Sequence, residues 1–116
     1  MNHNLRKLIE HVESQPESAL GMGAFVNECG TTLCLAGHAA LLSGCMLEDR
    51  DGIPYFARDG RRVVPFYEAM HWLDLPYSVA NNLFFVDGWP FVGDQTMDNV
   101  TKQDALEAMR RLESKL

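Results

Sequence analysis

Apolar residues recur at helical spacing in five stretches of this chain. Leu5, Leu8, Ile9 and Val12 lie at i, i+3, i+4 and i+7 and predict an amphipathic helix over residues 2–14, with Asn2 or Asn4 as its cap and Pro16 beyond its end. On that helix His3 and His11 fall on or beside the solvent side, and a metal role is not expected of either. Ala105, Leu106, Met109, Leu112 and Leu116 make the strongest stripe, opened by Thr101 with Asp104 at the third helical position. Between them, Phe66, Met70 and Leu73 predict a helix starting at Pro65, whose fixed φ suits a first turn. Val79, Ala80, Leu83 and Phe84 predict a short helix over residues 76–84, too short to persist without packing.

The fifth stretch is the least amphipathic. Residues 32–43 read as a helix capped by Thr31 or Thr32 and stopped at Gly44, the residue that enters the left-handed region most easily. Leu33, Gly37, Ala40, Leu41 and Gly44 share a face whose small members let another backbone approach, and Cys34 and His38 are neighbours one turn apart. With so little polar surface to offer water, this helix is expected at the centre of the fold.

The remaining segments carry turn chemistry. Residues 18–27 hold two glycines among apolar groups and read as an irregular segment tucking Leu20, Met22 and Phe25 into the core. Glu48-Asp-Arg-Asp-Gly52 reads as a charged turn, and the alternation around Asp59-Gly60 predicts a β-hairpin over residues 53–64. Residues 85–100 form the longest loop and carry Trp89, Phe91 and Val92, which either cover the core or meet a partner. The expected fold is a mainly α, single domain over residues 1–116, with about five helices and the hairpin inserted near residues 53–64.

Composition narrows the classes of function. With 116 residues, 47% of them hydrophobic, the chain can bury one core without disulfides. Ten Lys plus Arg against sixteen Asp plus Glu give a charge of −6, which argues against direct nucleic-acid binding and suits a partner with a basic surface. The odd count of three cysteines, and the lack of a leader-like apolar segment or an apolar run of membrane length, predict a cytoplasmic protein with no membrane role. The basic residues Arg58, Arg61 and Arg62 gather at the hairpin tip, as a solvated turn or as a contact for an acidic partner or phosphate.

Candidate chemistry centres on Cys29, Cys34 and His38, with Cys45 just past the helix end. Thiolates and imidazole are the ligand types that zinc prefers, so these four residues are the candidate metal set, with zinc as the implied cofactor. Cys45 joins that set only if the chain folds back after Gly44. Two other readings stand beside it: the cysteines as small core residues with His38 hydrogen-bonded at the core edge, and Cys34 as a nucleophile activated by the positive end of its helix. Gly-rich phosphate loops, His-Glu-x-x-His and serine nucleophile motifs do not occur, so catalysis is the less favoured class.

The run CGTTLCLAGHAALLSG at residues 29–44, with LDLPYSVANNLFFVDGWP at residues 73–90 and a last helix opening at Thr101, resembles a family of small, largely uncharacterised bacterial and phage proteins. That family carries a CGT-x-x-C-x-A-G-H/W-A signature, and the resemblance covers about two-thirds of the chain. It implies no activity, and Trp at the place of His38 implies that an imidazole is not obligatory there. With the acidic charge it leads to an expected function: an interaction module, of the kind a phage counter-defence (anti-CRISPR-like) inhibitor uses, that occupies a basic surface of a host protein. Trp89, Phe91, Arg58, Arg61 and Arg62 are its candidate contacts. A zinc- or thiol-dependent enzyme using Cys29, Cys34 and His38, and a structural domain without separable activity, are the alternatives.

Overall fold

The computed structural model describes residues 2–20, 33–85 and 101–116. Among them are five α-helices and a three-stranded antiparallel sheet: α1 (His3–Ser14), α2 (Leu35–Leu42), β1 (Met46–Arg50), β2 (Ile53–Arg58), β3 (Arg61–Arg62), α3 (Pro65–Leu73), α4 (Tyr77–Phe84) and α5 (Lys102–Glu113). No helix of the described residues is long and apolar enough to cross a membrane.

The amphipathic helices form where their spacing predicts. In α1 the buried residues are Leu5, Leu8, Ile9 and Val12, and the Asn2 side chain accepts a hydrogen bond from the Leu5 N–H at 2.9 Å. Asn4 has a different task. Its amide donates to the Trp72 carbonyl at 2.7 Å and that of Asn2 to the Leu73 carbonyl, so α1 satisfies the otherwise unpaired last carbonyls of α3. Helix α5 opens with a full capping box between Thr101 and Asp104. Its Lys102 ammonium donates to the Glu13 and Gln15 carbonyls, while Arg6 near the start of α1 pairs with Glu113 at the end of α5. The two terminal helices therefore lie antiparallel.

Helix α2 is the buried centre, with Leu35, Ala36, Gly37, His38, Ala39 and Ala40 all inside. It is shorter than its sequence predicts. Leu33 is extended, its N–H bonded to the Ala19 carbonyl in a parallel bridge between Leu20 and Leu33, and a residue in that conformation cannot start a helix. The cap is Cys34, whose Sγ accepts the Gly37 N–H at 3.5 Å, rather than a threonine; Thr31 and Thr32 lie outside the described residues. At the other end Gly44, at φ +110°, closes the helix as predicted. Its N–H bonds to Leu41 and that of Cys45 to Ala40, a pair of bonds that satisfies two orphan carbonyls.

The sheet is a meander rather than a lone hairpin. Residues 46–50, part of which read as a charged turn, form β1, paired with β2 from Met46 opposite Ala57 to Arg50 opposite Ile53. Only Leu47 of β1 is even partly buried, so this strand lacks the alternating apolar signal of a half-buried one. Both connections are Asp-Gly pairs with positive φ at each residue, Asp51-Gly52 and Asp59-Gly60, the backbone that a two-residue hairpin turn demands. The sheet leans on the helices through a small cluster of Leu33, Ala40, Cys45 and Phe56, flanked by Leu41, Leu47 and Val63. The larger core draws on all five helices, from Leu5 in α1 to Met109 in α5.

Candidate functional site

Of the residues that sequence spacing groups as metal ligands, the structure sets Cys45 apart from Cys34. Cys34 and Cys45 flank α2 at opposite ends, and a helix of eight residues is about 12 Å long, so the two thiols do not share a site. The chain does turn at Gly44, but it carries Cys45 into the small cluster under the sheet. Cys29 lies outside the described residues. No group of three or more His, Cys, Asp or Glu suited to a metal occurs among the described residues.

Cys34 does not have the surroundings of a nucleophile. It is 4% exposed, and burial pushes its thiol up, against the pull of the Gly37 hydrogen bond to its sulfur. Desolvation outweighs the helix dipole here, because a thiolate would lose its water and regain little from one N–H. Cys34 should accordingly resist alkylation by iodoacetamide in the native protein and react only after unfolding. Labelling as fast as in urea, followed by peptide mass spectrometry, would contradict this placement.

His38 is buried and makes two ring contacts. One nitrogen, Nε2, lies 2.8 Å from the Ala19 carbonyl, and the other, Nδ1, lies 3.1 Å from Nε2 of His11. A carbonyl only accepts, so His38 carries its hydrogen on Nε2 and His11 donates into the free lone pair on Nδ1. Burial lowers both imidazoles below the ordinary histidine range, and His38 is lowered further by the neighbouring His11. Helical spacing puts His11 on or beside the solvent side, and it sits half-buried at the margin between α1 and α2. A turn of about 100° per residue places it only about 60° from Leu8, at the edge of the buried stripe, and that angle is its one sequence signal. His71 is exposed on α3.

The predicted basic tip also divides. Arg58 folds inward, donating from Nε to Glu68 Oε1 at 2.7 Å and from Nη2 to Ser43 Oγ at 2.7 Å, with Cys45 Sγ 3.4 Å away. It ties β2 to α3 and to the end of α2, so its charge is engaged within the fold. Arg61 and Arg62 remain exposed, and the Arg62 guanidinium lies 5.7 Å from the centre of the Tyr55 ring.

Around that pair lies a surface feature of the described residues. Cross-strand partners share a face of a sheet, so Glu48 and Arg50 of β1 stand on the same outer face as Tyr55 and Ile53 of β2. A cleft of about 380 Å³ opens there, lined by Arg50, Asp51, Ile53, Tyr55, Gly60 and Arg62. Tyr55 donates to Glu48 Oε2 at 2.9 Å, which fixes its ring as one wall. Ile53 is 67% exposed and Met46, farther along the same face, 64%. The sequence pattern assigns no partner contact to Met46, Arg50, Ile53 or Tyr55. Trp89 and Phe91, the other candidate contacts, lie outside the described residues.

Scans of the chain against protein-family models, curated proteins and solved structures found no match.

Proposed function

We propose that the protein is a non-catalytic interaction module that docks a partner protein on the outer face of its sheet. The observation that carries this reading is the exposure of Met46 and Ile53 on a face that also holds Tyr55, Arg50 and Arg62. An aliphatic side chain left two-thirds in water gains when a partner covers it, at about 25 cal/mol per Å² of apolar surface removed from water. Tyrosine and arginine are the side chains that anchor protein contacts best, because each offers a large apolar body with a directional polar end.

Charge supplies the second half. The chain carries −6, so a partner with a basic surface is steered toward it, while Arg50 and Arg62 require acidic groups of that partner opposite them at the contact itself. The resemblance to small bacterial and phage proteins favours a host protein as that partner, occupied in the manner of a counter-defence inhibitor. The thiol-enzyme alternative is weakened by the buried, protonated Cys34.

The test is capture of partners from host lysate by the parent and by a Met46→Asp, Ile53→Asp variant of equal stability. The parent is expected to retain a defined partner, with less retained as salt rises, because screening shortens the reach of complementary charge. The variant is expected to lose at least about tenfold, which corresponds to about 1.4 kcal/mol. Equal retention by the variant, or nothing retained by the parent above background, contradicts the reading.

A further inference from the structure

We propose that His11 and His38 form a two-imidazole site for a first-row divalent transition metal, which would clamp α1 to α2. This goes beyond the docking reading and does not depend on it. Nε2 of His11 and Nδ1 of His38 face each other at 3.1 Å, with ring centres 5.1 Å apart and planes tilted by 57°. Two nitrogens bound at about 2.0–2.1 Å to one tetrahedral ion stand about 3.3 Å apart, and about 2.9 Å apart at adjacent corners of a square plane. The observed separation falls between these. A modest rotation of the rings, aiming both lone pairs at a common point, and a change of tautomer at His11 are the rearrangements needed.

The second requirement of a histidine ligand is that its other nitrogen be held. His38 meets it, because its Nε2–H donates to the Ala19 carbonyl at 2.8 Å and leaves Nδ1 free to coordinate. His11 donates its Nε2 hydrogen to His38 in the metal-free state; on coordination that hydrogen moves to its Nδ1, so the exchange releases no proton. Burial already favours the neutral, ligating form of both rings. His38 is 4% exposed and His11 half-buried, so an ion enters from the His11 side.

Sequence spacing groups His38 with cysteines as zinc ligands. The structure supplies a different partner, from α1. No third His, Cys, Asp or Glu completes a cluster among the described residues, so the two imidazoles are the ligands assigned. Such a site exchanges its ion readily and binds more weakly than a four-ligand structural centre.

Zn²⁺ is the probe, titrated calorimetrically at neutral pH into the untagged full chain. One equivalent is expected to bind, with affinity lowered at least about tenfold in His11→Gln and in His38→Gln, the scale on which metal sites respond even to changes beyond the ligands themselves. His3→Ala and His71→Ala are expected to leave it unchanged. Because a change at the buried His38 can prevent folding, the parent provides a second readout: the ¹⁵N resonances of the His11 and His38 rings should move on adding Zn²⁺, and those of His3 and His71 should not. No stoichiometric binding, unmoved His11 and His38 resonances, or binding lost in Cys29→Ser or Cys34→Ser but kept in His11→Gln, would overturn the proposal.

Discussion

Leu35→Ala is expected to cost about 2–5 kcal/mol of stability, a large part of the roughly 5–15 kcal/mol that holds a domain of this size. Leu35 is 0% exposed, stands in the first turn of α2 and belongs to the core cluster to which all five helices contribute. Truncation removes three carbon atoms from contacts on every side. The void would open in a core built from five helices, which cannot collapse by movement of one of them alone. Urea unfolding followed by circular dichroism measures it: the midpoint should fall with an unchanged slope. A loss under about 1 kcal/mol would mean that α2 is not the centre of the packing.

The converse change at the same helix is expected to be nearly as harmful. Ala39→Leu places three added carbons where Ala36, Ala39 and, on α3, Ala69 are all 0% exposed, and overpacking of this kind costs about 1–3 kcal/mol. Alanine and leucine are both strong helix formers, so propensity neither hides nor mimics the effect. Thermal melting should show a lower midpoint for the variant. A melt equal to the parent's would reveal free space beside α2 that the structure does not show.

Much of this helix packing was legible because an apolar stripe at 3.6-residue spacing falls on one side of a helix and on both sides of a strand. Leu5, Leu8, Ile9 and Val12 can be buried together only on a helix, and Gly44 and the Thr101–Asp104 pair are punctuation with direct physical causes. The start of α2 was not legible, because it is decided by Leu33 bonding to Ala19, a contact across more than ten residues of chain. Strand β1 was hidden for the opposite reason: a strand that gives only one partly buried side chain to the core has no periodic signature. Its turn chemistry at Asp51-Gly52 matches that of Asp59-Gly60, a cue that the charge run masked.

The candidate sites divide along the same line. Local spacing marks Cys34, His38 and Cys45 as chemically notable, yet spacing along a helix cannot say which groups on other elements complete a site. His38 found its partner on α1, Cys45 found Arg58 and Glu68, and Cys34 turned to its own backbone. Arg58 looks equivalent to Arg61 and Arg62 in the sequence. Arg62 stands opposite Ala57, on the face of Tyr55, whereas Arg58 lies one position farther along β2 and so meets Glu68 of α3.

The claim that the outer sheet face is the docking surface is tested most directly by amide hydrogen exchange on the protein with and without its captured partner. Added protection should concentrate in β1 and β2, over residues 46–58, where Met46, Ile53 and Tyr55 would be covered and the free edge of β1 shielded. Protection confined to α1 and α5, with exchange in β1 and β2 unchanged, would contradict it.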